Sequence, residues 1–261
     1  MGKYIISDFK CAVRSKWSKM YMIATVALVL VANIAVIAFR FIYGSNEGTF
    51  AYNVFEYASW CFLIPYYSCI FMAMIAYGKE YIRPRKDGIS VDSGDTKAVL
   101  APWQMYIAKL TVTIMLAVVF MLLAFVLLYV VTQLFHINEG MIEWPVIKSF
   151  LGKACLSLPL WFAGISFAIM FLFLFDEKWK AFSAFAILVV LIPQFIRMFS
   201  LDTFKFAFFR MIRRYTITQS FGLVPYPSYP ERSVGLIVAL GIVYGLIATA
   251  IGIAGYNKKA A

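Results

Sequence analysis

YIAKLTVTIMLAVVFMLLAFVLLYVVTQLF, residues 106–135, carries a single charge, Lys109, near its start. About 20 apolar residues in helical form cross a hydrocarbon core of roughly 30 Å, so this stretch reads as a membrane span. Five others qualify: Met20–Tyr43, Tyr57–Tyr77, Phe150–Phe175, Ala181–Ser200 and Val234–Gly255. The whole chain agrees with them. Of its 261 residues 63% are hydrophobic, 18% aromatic and 14% charged, with mean hydropathy +0.82. Soluble domains have about 45–50% apolar and about 25% charged residues, so a soluble domain is excluded, and so is disorder. The net charge of +11, which would suggest nucleic acid in a soluble chain, fits anchoring against anionic lipid instead.

The expected fold is an all-α polytopic membrane protein: one transmembrane permease domain over residues 1–261 with six spans. The first span is too long for the h-region of a cleaved signal peptide and stays as an anchor. Lys3, Lys10, Arg14, Lys16 and Lys19 precede it. Lys79, Arg83, Arg85, Lys86 and Lys97 lie between spans two and three, Lys178 and Lys180 between four and five, and Lys258 and Lys259 end the chain. Six spans put all of them on one side, so both termini are expected in the cytoplasm. The first external loop would carry Glu47 and Glu56. Residues 201–233 are external in this reading despite Lys205, Arg210, Arg213, Arg214 and Arg232; a five-span reading moves them inside but pushes Lys258 and Lys259 out.

Two amphipathic segments are expected outside the spans. At the N-terminus Ile5, Phe9, Val13 and Trp17 form a helical stripe with Lys3, Lys10 and Arg14 off it, which suits a helix lying in the inner interface. Thr203–Tyr215 places Phe204, Phe208, Met211 and Ile212 on one side, with Lys205, Arg210, Arg213 and Arg214 on the other, as a short helix on the outer surface. In the last span Gly241, Gly245, Ala248 and Gly252 line up as small residues that allow close helix approach, to another span of the same chain or to a second subunit.

Recognisable reaction chemistry is missing. Ser93-Gly94-Asp95-Thr96-Lys97 lacks the upstream glycine and spacing of a phosphate-binding loop. The only histidine, His136, reads as interfacial. Cys11, Cys61, Cys69 and Cys155 contain no CxxC pair and read as small apolar fillers. No catalytic residue and no metal ligand is expected. The deep polar residues are Asn33, Ser59, Ser68, Thr111, Thr113 and Thr249, with Gln194 and Arg197 toward one end of span five beside Pro193. Ionisable residues are not expected at mid-membrane, which disfavours an ion-coupled carrier. The energy source is then expected on another polypeptide.

The largest cytoplasmic connection, residues 78–105, reads GKEYIRPRKDGISVDSGDTKAVLAPWQM. Thr96–Leu100 is a short helix candidate, with Ser93 or Asp95 available to cap its positive end. Glu80 after span two, Asp87-Gly88, the short helix from Thr96, Leu100-x-Pro102 and Lys109 in a long third span resemble the permease subunits of type-2 ABC exporters. So does the layout of a basic amphipathic start, six spans, a short Asp176–Lys180 connection, and a re-entrant or surface-helical segment before the last span. Where many such permeases have Gly-Thr after the acid, this chain has Gly88-Ile89.

The resemblance implies a pair of permease subunits, identical or different, docked on two cytoplasmic ATPases through residues 80–100. ATP and Mg would bind the ATPases, and this chain would bind no cofactor. It also implies a bacterial cell membrane, and a permease interface made mainly by the first and fifth spans. Span walls rich in Phe, Met and Tyr favour apolar or amphipathic cargo, and the resemblance to small permeases of this class implies amphipathic peptides (toxins, bacteriocins, antimicrobial peptides) or hydrophobic drugs. A stand-alone secondary transporter or channel, a permease for polysaccharide or lipid, and a membrane enzyme or scaffold are the alternatives. The orientation is testable: a fluorescent protein fused after Ala261 is expected to fluoresce, and alkaline phosphatase fused at Thr203 to be active. The opposite pattern overturns the inside assignment of the basic connections.

Overall fold

The computed structural model describes residues 1–44, 49–78, 89–93, 96–201, 206–224 and 231–260. Helix α1 (Gly2–Arg14) ends at Ser15, whose extended backbone breaks the helix and whose Oγ accepts the amide of Ser18 at 3.1 Å. This N-cap starts α2 (Lys16–Tyr43). Where the second span is expected stands a bent pair, α3 (Phe50–Trp60) and α4 (Leu63–Tyr77), with 56° between them. Pro65 causes the break because it has no N–H to give the carbonyl of Cys61. That carbonyl takes the amide of Ile64 at 2.9 Å, and the Phe62 carbonyl takes the indole N–H of Trp161 at 3.0 Å. Glu56 therefore sits inside α3, not in an external loop, and meets Lys153 at 2.6 Å; Glu47 lies outside the described residues.

Two short strands follow, β1 (Ile89–Ser93) and β2 (Thr96–Leu100), paired antiparallel from Ile89 opposite Leu100 to Ser93 opposite Thr96. This corrects the expected Thr96–Leu100 helix and its cap. Two residues beginning with glycine, Gly94-Asp95, between β-branched runs are a hairpin signal, and Val91 and Val99 favour strands. Four further helices run long. They are α5 (Pro102–Phe135), α6 (Trp144–Leu174), the sequence α7 (Lys178–Phe185) and α8 (Ile192–Phe199) joined by π-helical turns at 186–191, and α11 (Glu231–Ala260). The π turns precede Pro193, whose ring and missing N–H disrupt the ladder one turn back. Between α8 and α11 stand two one-to-two-turn helices, α9 (Ala207–Arg213) and α10 (Ile217–Leu223). Among the described residues five helices are long and apolar enough to cross a membrane, and the α3–α4 pair makes a sixth if it counts as one span.

Helix α6 is the central post: 67% of its apolar window is buried, against 11% for the α7–α8 span. Helix α11 lies along it. The small-residue stripe makes this possible within the chain. Gly241 packs on the backbone of Pro159, Gly245 on the ring of Phe162 and Gly252 on the ring of Tyr106, and Ala248 is fully buried. At one end, Phe173 of α6 meets Tyr77, Tyr106 and Tyr256, with ring centroids 5.3, 5.0 and 4.6 Å away. This aromatic layer ties together α4, α5, α6 and α11.

At the stripe, Gly241→Leu has to displace main chain. It is expected to cost about 3 kcal/mol, the upper part of the overpacking range, read as a lowered unfolding temperature in detergent. Gly235, whose surroundings are open, is expected to tolerate alanine.

Candidate functional site

Most chemistry among the described residues collects at the end of the bundle marked by the aromatic layer. Lys109 lies in the second turn of α5. Its ammonium donates to both oxygens of Asp8, at 3.0 and 2.8 Å, and to the carbonyl of Ala76 at 2.9 Å. An ammonium has three donors, so the group is saturated. The Ala76 carbonyl belongs to the last turn of α4, where carbonyls have no partner within the helix and carry the negative end of its dipole. Asp8 comes from α1. One cation thus fastens three helices, with side-chain exposures of 5% for Lys109 and 13% for Asp8.

The rest of the contact seals this clasp. Tyr4 donates to Met105 Sδ at 3.5 Å and lies under the Lys109 ammonium, while Ala12 packs with Ala76 and Val112. The inward row of α1 is therefore Tyr4, Asp8 and Ala12, with Tyr4 and Ala12 buried and Asp8 half-buried between them. The expected stripe is only partly inside: Ile5 and Phe9 are half-buried, but Val13 and Trp17 are exposed. An apolar-only reading rotates the helix because it misses the acid. Burial raises the pKa of the Asp8 carboxyl, against the opposing charge and hydrogen bond of Lys109.

Further contacts bring other segments to the same end. Lys178 donates to the Gly78 carbonyl where the chain leaves α4 with φ +75°, a glycine conformation. Lys259 pairs with Asp176 at 2.9 Å, so the last turn of α11 meets the α6–α7 connection. The β-hairpin lies against α1. Of the residues expected at the docking loop, Leu100 is buried in the core, Pro102 opens α5, and Thr96 begins β2. Glu80, Asp87, Gly88 and Asp95 lie outside the described residues.

The basic segment differs from expectation. Helix α10 is buried through Ile217, Ser220 and Phe221, and Phe221 packs on Tyr66 and Trp161. Tyr244 donates to the Tyr215 carbonyl at 3.1 Å. At 1.5 Å of rise per residue, Tyr66, Trp161 and Tyr244 stand about 17, 18 and 18 Å from Tyr77, Phe173 and Tyr256 of the aromatic layer. Three helices give one height along the bundle. Helix α10 packs among the long helices at that height, whereas α9, which covers Ala207–Arg213 of the expected amphipathic Thr203–Tyr215 helix, has no buried residue. Arg213 and Arg214, adjoining Tyr215, stand close to that height. Arg213 donates to Gln219 Oε1 at 2.8 Å and Ser200 Oγ at 3.2 Å. Arg210 is exposed, and Lys205 lies outside the described residues.

The opposite end is held by Glu139, whose Oε1 accepts from Arg40 at 3.3 Å and whose Oε2 accepts from the Phe50 amide at 3.0 Å and lies 3.3 Å from Nδ1 of buried His136. The hydroxyls of Thr111, Thr113 and Thr249 return to carbonyls of their own helices at 2.8 Å. Cys69 is buried, whereas Cys11, Cys61 and Cys155 are exposed rather than filling the core. Among the described residues no three His, Cys, Asp or Glu side chains gather closely enough to hold a metal ion.

Breaking the clasp from one side strands a buried charge. Asp8→Ala and Lys109→Met are each expected to cost about 3–5 kcal/mol, and the double variant less than their sum, measured by unfolding in detergent. The folded chain holds the Asp8 proton more tightly than the unfolded chain. Stability contributed by this group therefore rises as pH falls from its raised value toward the ordinary carboxylate range, and Asp8→Asn is expected to flatten that interval. No protein-family model, no curated protein and no solved structure matches the chain.

Proposed function

We propose that the chain is the transmembrane subunit of an ATP-driven exporter of the type-2 ABC class, working in a bacterial cell membrane as one of two permease subunits above two ATPases. The observation that carries this reading is the construction of one end of the bundle. An amphipathic first helix, the connection after the second span, the α6–α7 turn and the chain's C-terminal helix are bonded together there, with Lys109 at the centre. A push delivered at that end acts on α1, α4 and α5 together. The packed α10 before the last span adds to the likeness in layout.

The docking element in this reading is the connection over residues 80–100, including the hairpin, with Asp176–Lys180 a smaller contact. The cargo is an amphiphile, a peptide or hydrophobic drug, moved outward. A secondary transporter remains the competing reading because cations do stand at half-depth. Arginine does not favour it: the guanidinium stays protonated throughout the physiological range and cannot relay protons.

The test uses the full chain. Affinity purification from native membranes after crosslinking is expected to recover an ATP-hydrolysing subunit. Replacing residues 89–100 by a Gly-Ser run of equal length is expected to lose that subunit and ATP-dependent transport while the protein stays monodisperse. Transport by the purified chain alone in vesicles, driven by an ion gradient, overturns the proposal.

A further inference from the structure

The α7–α8 span crosses with polar groups on its open side. Gln194 donates to the Tyr67 hydroxyl at 3.2 Å, and Arg197 stands about one turn further along the same helix. Tyr67 is about 15 Å of helical rise from Tyr77, near half-depth. Gln194, Arg197 and Arg214 are all exposed, and Arg213 is half-buried. No described carboxylate lies within ion-pair distance of Arg197, Arg213 or Arg214. Around them Phe195, Met198 and Met211 are exposed at 55%, 42% and 58%.

Guanidinium and carboxamide groups on an open surface at this height are incompatible with hydrocarbon. Charged side chains inside membranes face the protein interior or a water-filled cavity, and they mark pathways. Broken helices near the midplane build such sites, and here the α3–α4 bend, the π turns and α10 all border the same region.

We infer that this face, formed by Tyr67, Gln194, Arg197, Arg213 and Arg214, lines a water-filled cationic vestibule at half-depth. Its occupant is an anionic amphiphile, a carboxylate or phosphate on an apolar tail. The arginines hold the acid group, and Phe195, Met198 and Met211 receive the tail. The inference names the cargo class for the proposed exporter; it rests on the membrane-spanning reading and not on the ATPase, so the two can fail separately. It also narrows the expected cargo, since a cationic peptide is repelled here.

Thiol modification in vesicles tests it without any ATPase. In a background where Cys11, Cys61 and Cys155 are serine and buried Cys69 remains, Gln194→Cys is treated with water-soluble thiosulfonates of either charge. The anionic reagent is expected to react faster by on the order of tenfold, because the local cationic field concentrates it. Adding Arg197→Gln, Arg213→Gln and Arg214→Gln is expected to bring the two rates together. Met198→Cys gives an independent reading should Gln194→Cys fold poorly, and Leu122→Cys on the exposed face of α5 is expected to react with neither reagent. A thiol at 194 and 198 that resists both reagents means no water reaches the face. Equal rates with the arginines intact mean no selection of anions, and reaction at 122 as fast as at 194 means the face is not distinct. Each of these overturns the inference.

Discussion

Inside hydrocarbon a polar group has no water to turn to, and nearly every local feature of this chain answers to that constraint. The Lys109 ammonium is tolerable because three acceptors saturate it. The α3–α4 bend is tolerable because Trp161 reaches the Phe62 carbonyl. Threonines on α5 and α11 fold their hydroxyls back onto their own helices. The arginine face, where Arg197 and Arg214 are exposed, is one place where internal satisfaction runs out.

The long apolar helices were legible because hydrophobic length is a strong signal read one helix at a time; whether the bent α3–α4 pair makes a sixth span was not. The clasp was not, because it joins residues a hundred positions apart. Lys109 announced itself as the lone charge in an apolar run, but Asp8 looks like an ordinary interfacial acid until α1 is rotated to put Tyr4, Asp8 and Ala12 inside. The hairpin was legible in Gly94-Asp95 and passed over, since a charged connection with a Thr–Leu run reads equally well as a capped helix. The glycine stripe in α11 was visible, yet only the partner surfaces, Pro159, Phe162 and Tyr106, assign it to packing within the chain. The packing of α10 among the long helices depends on the contacts of Phe221 with Tyr66 and Trp161 of two other helices, and no local pattern encodes that.

One helix connects the two regions of interest. At its lower end α4 presents the Ala76 carbonyl to Lys109. At its upper end Tyr66 packs on Phe221, and Tyr67 holds Gln194. Between them α4 runs unbroken for about 15 Å. A helix of this length resists stretching because each residue is bonded to the turn below it, so the clasp and the arginine face share one rigid strut. The flexible joints lie beyond it, at the 56° bend above Leu63 and at the π turns before Pro193. A displacement applied at Lys109 therefore bears on α4 as a unit, and the breaks in the helical ladder at its far end and before Pro193 lie beside the arginines.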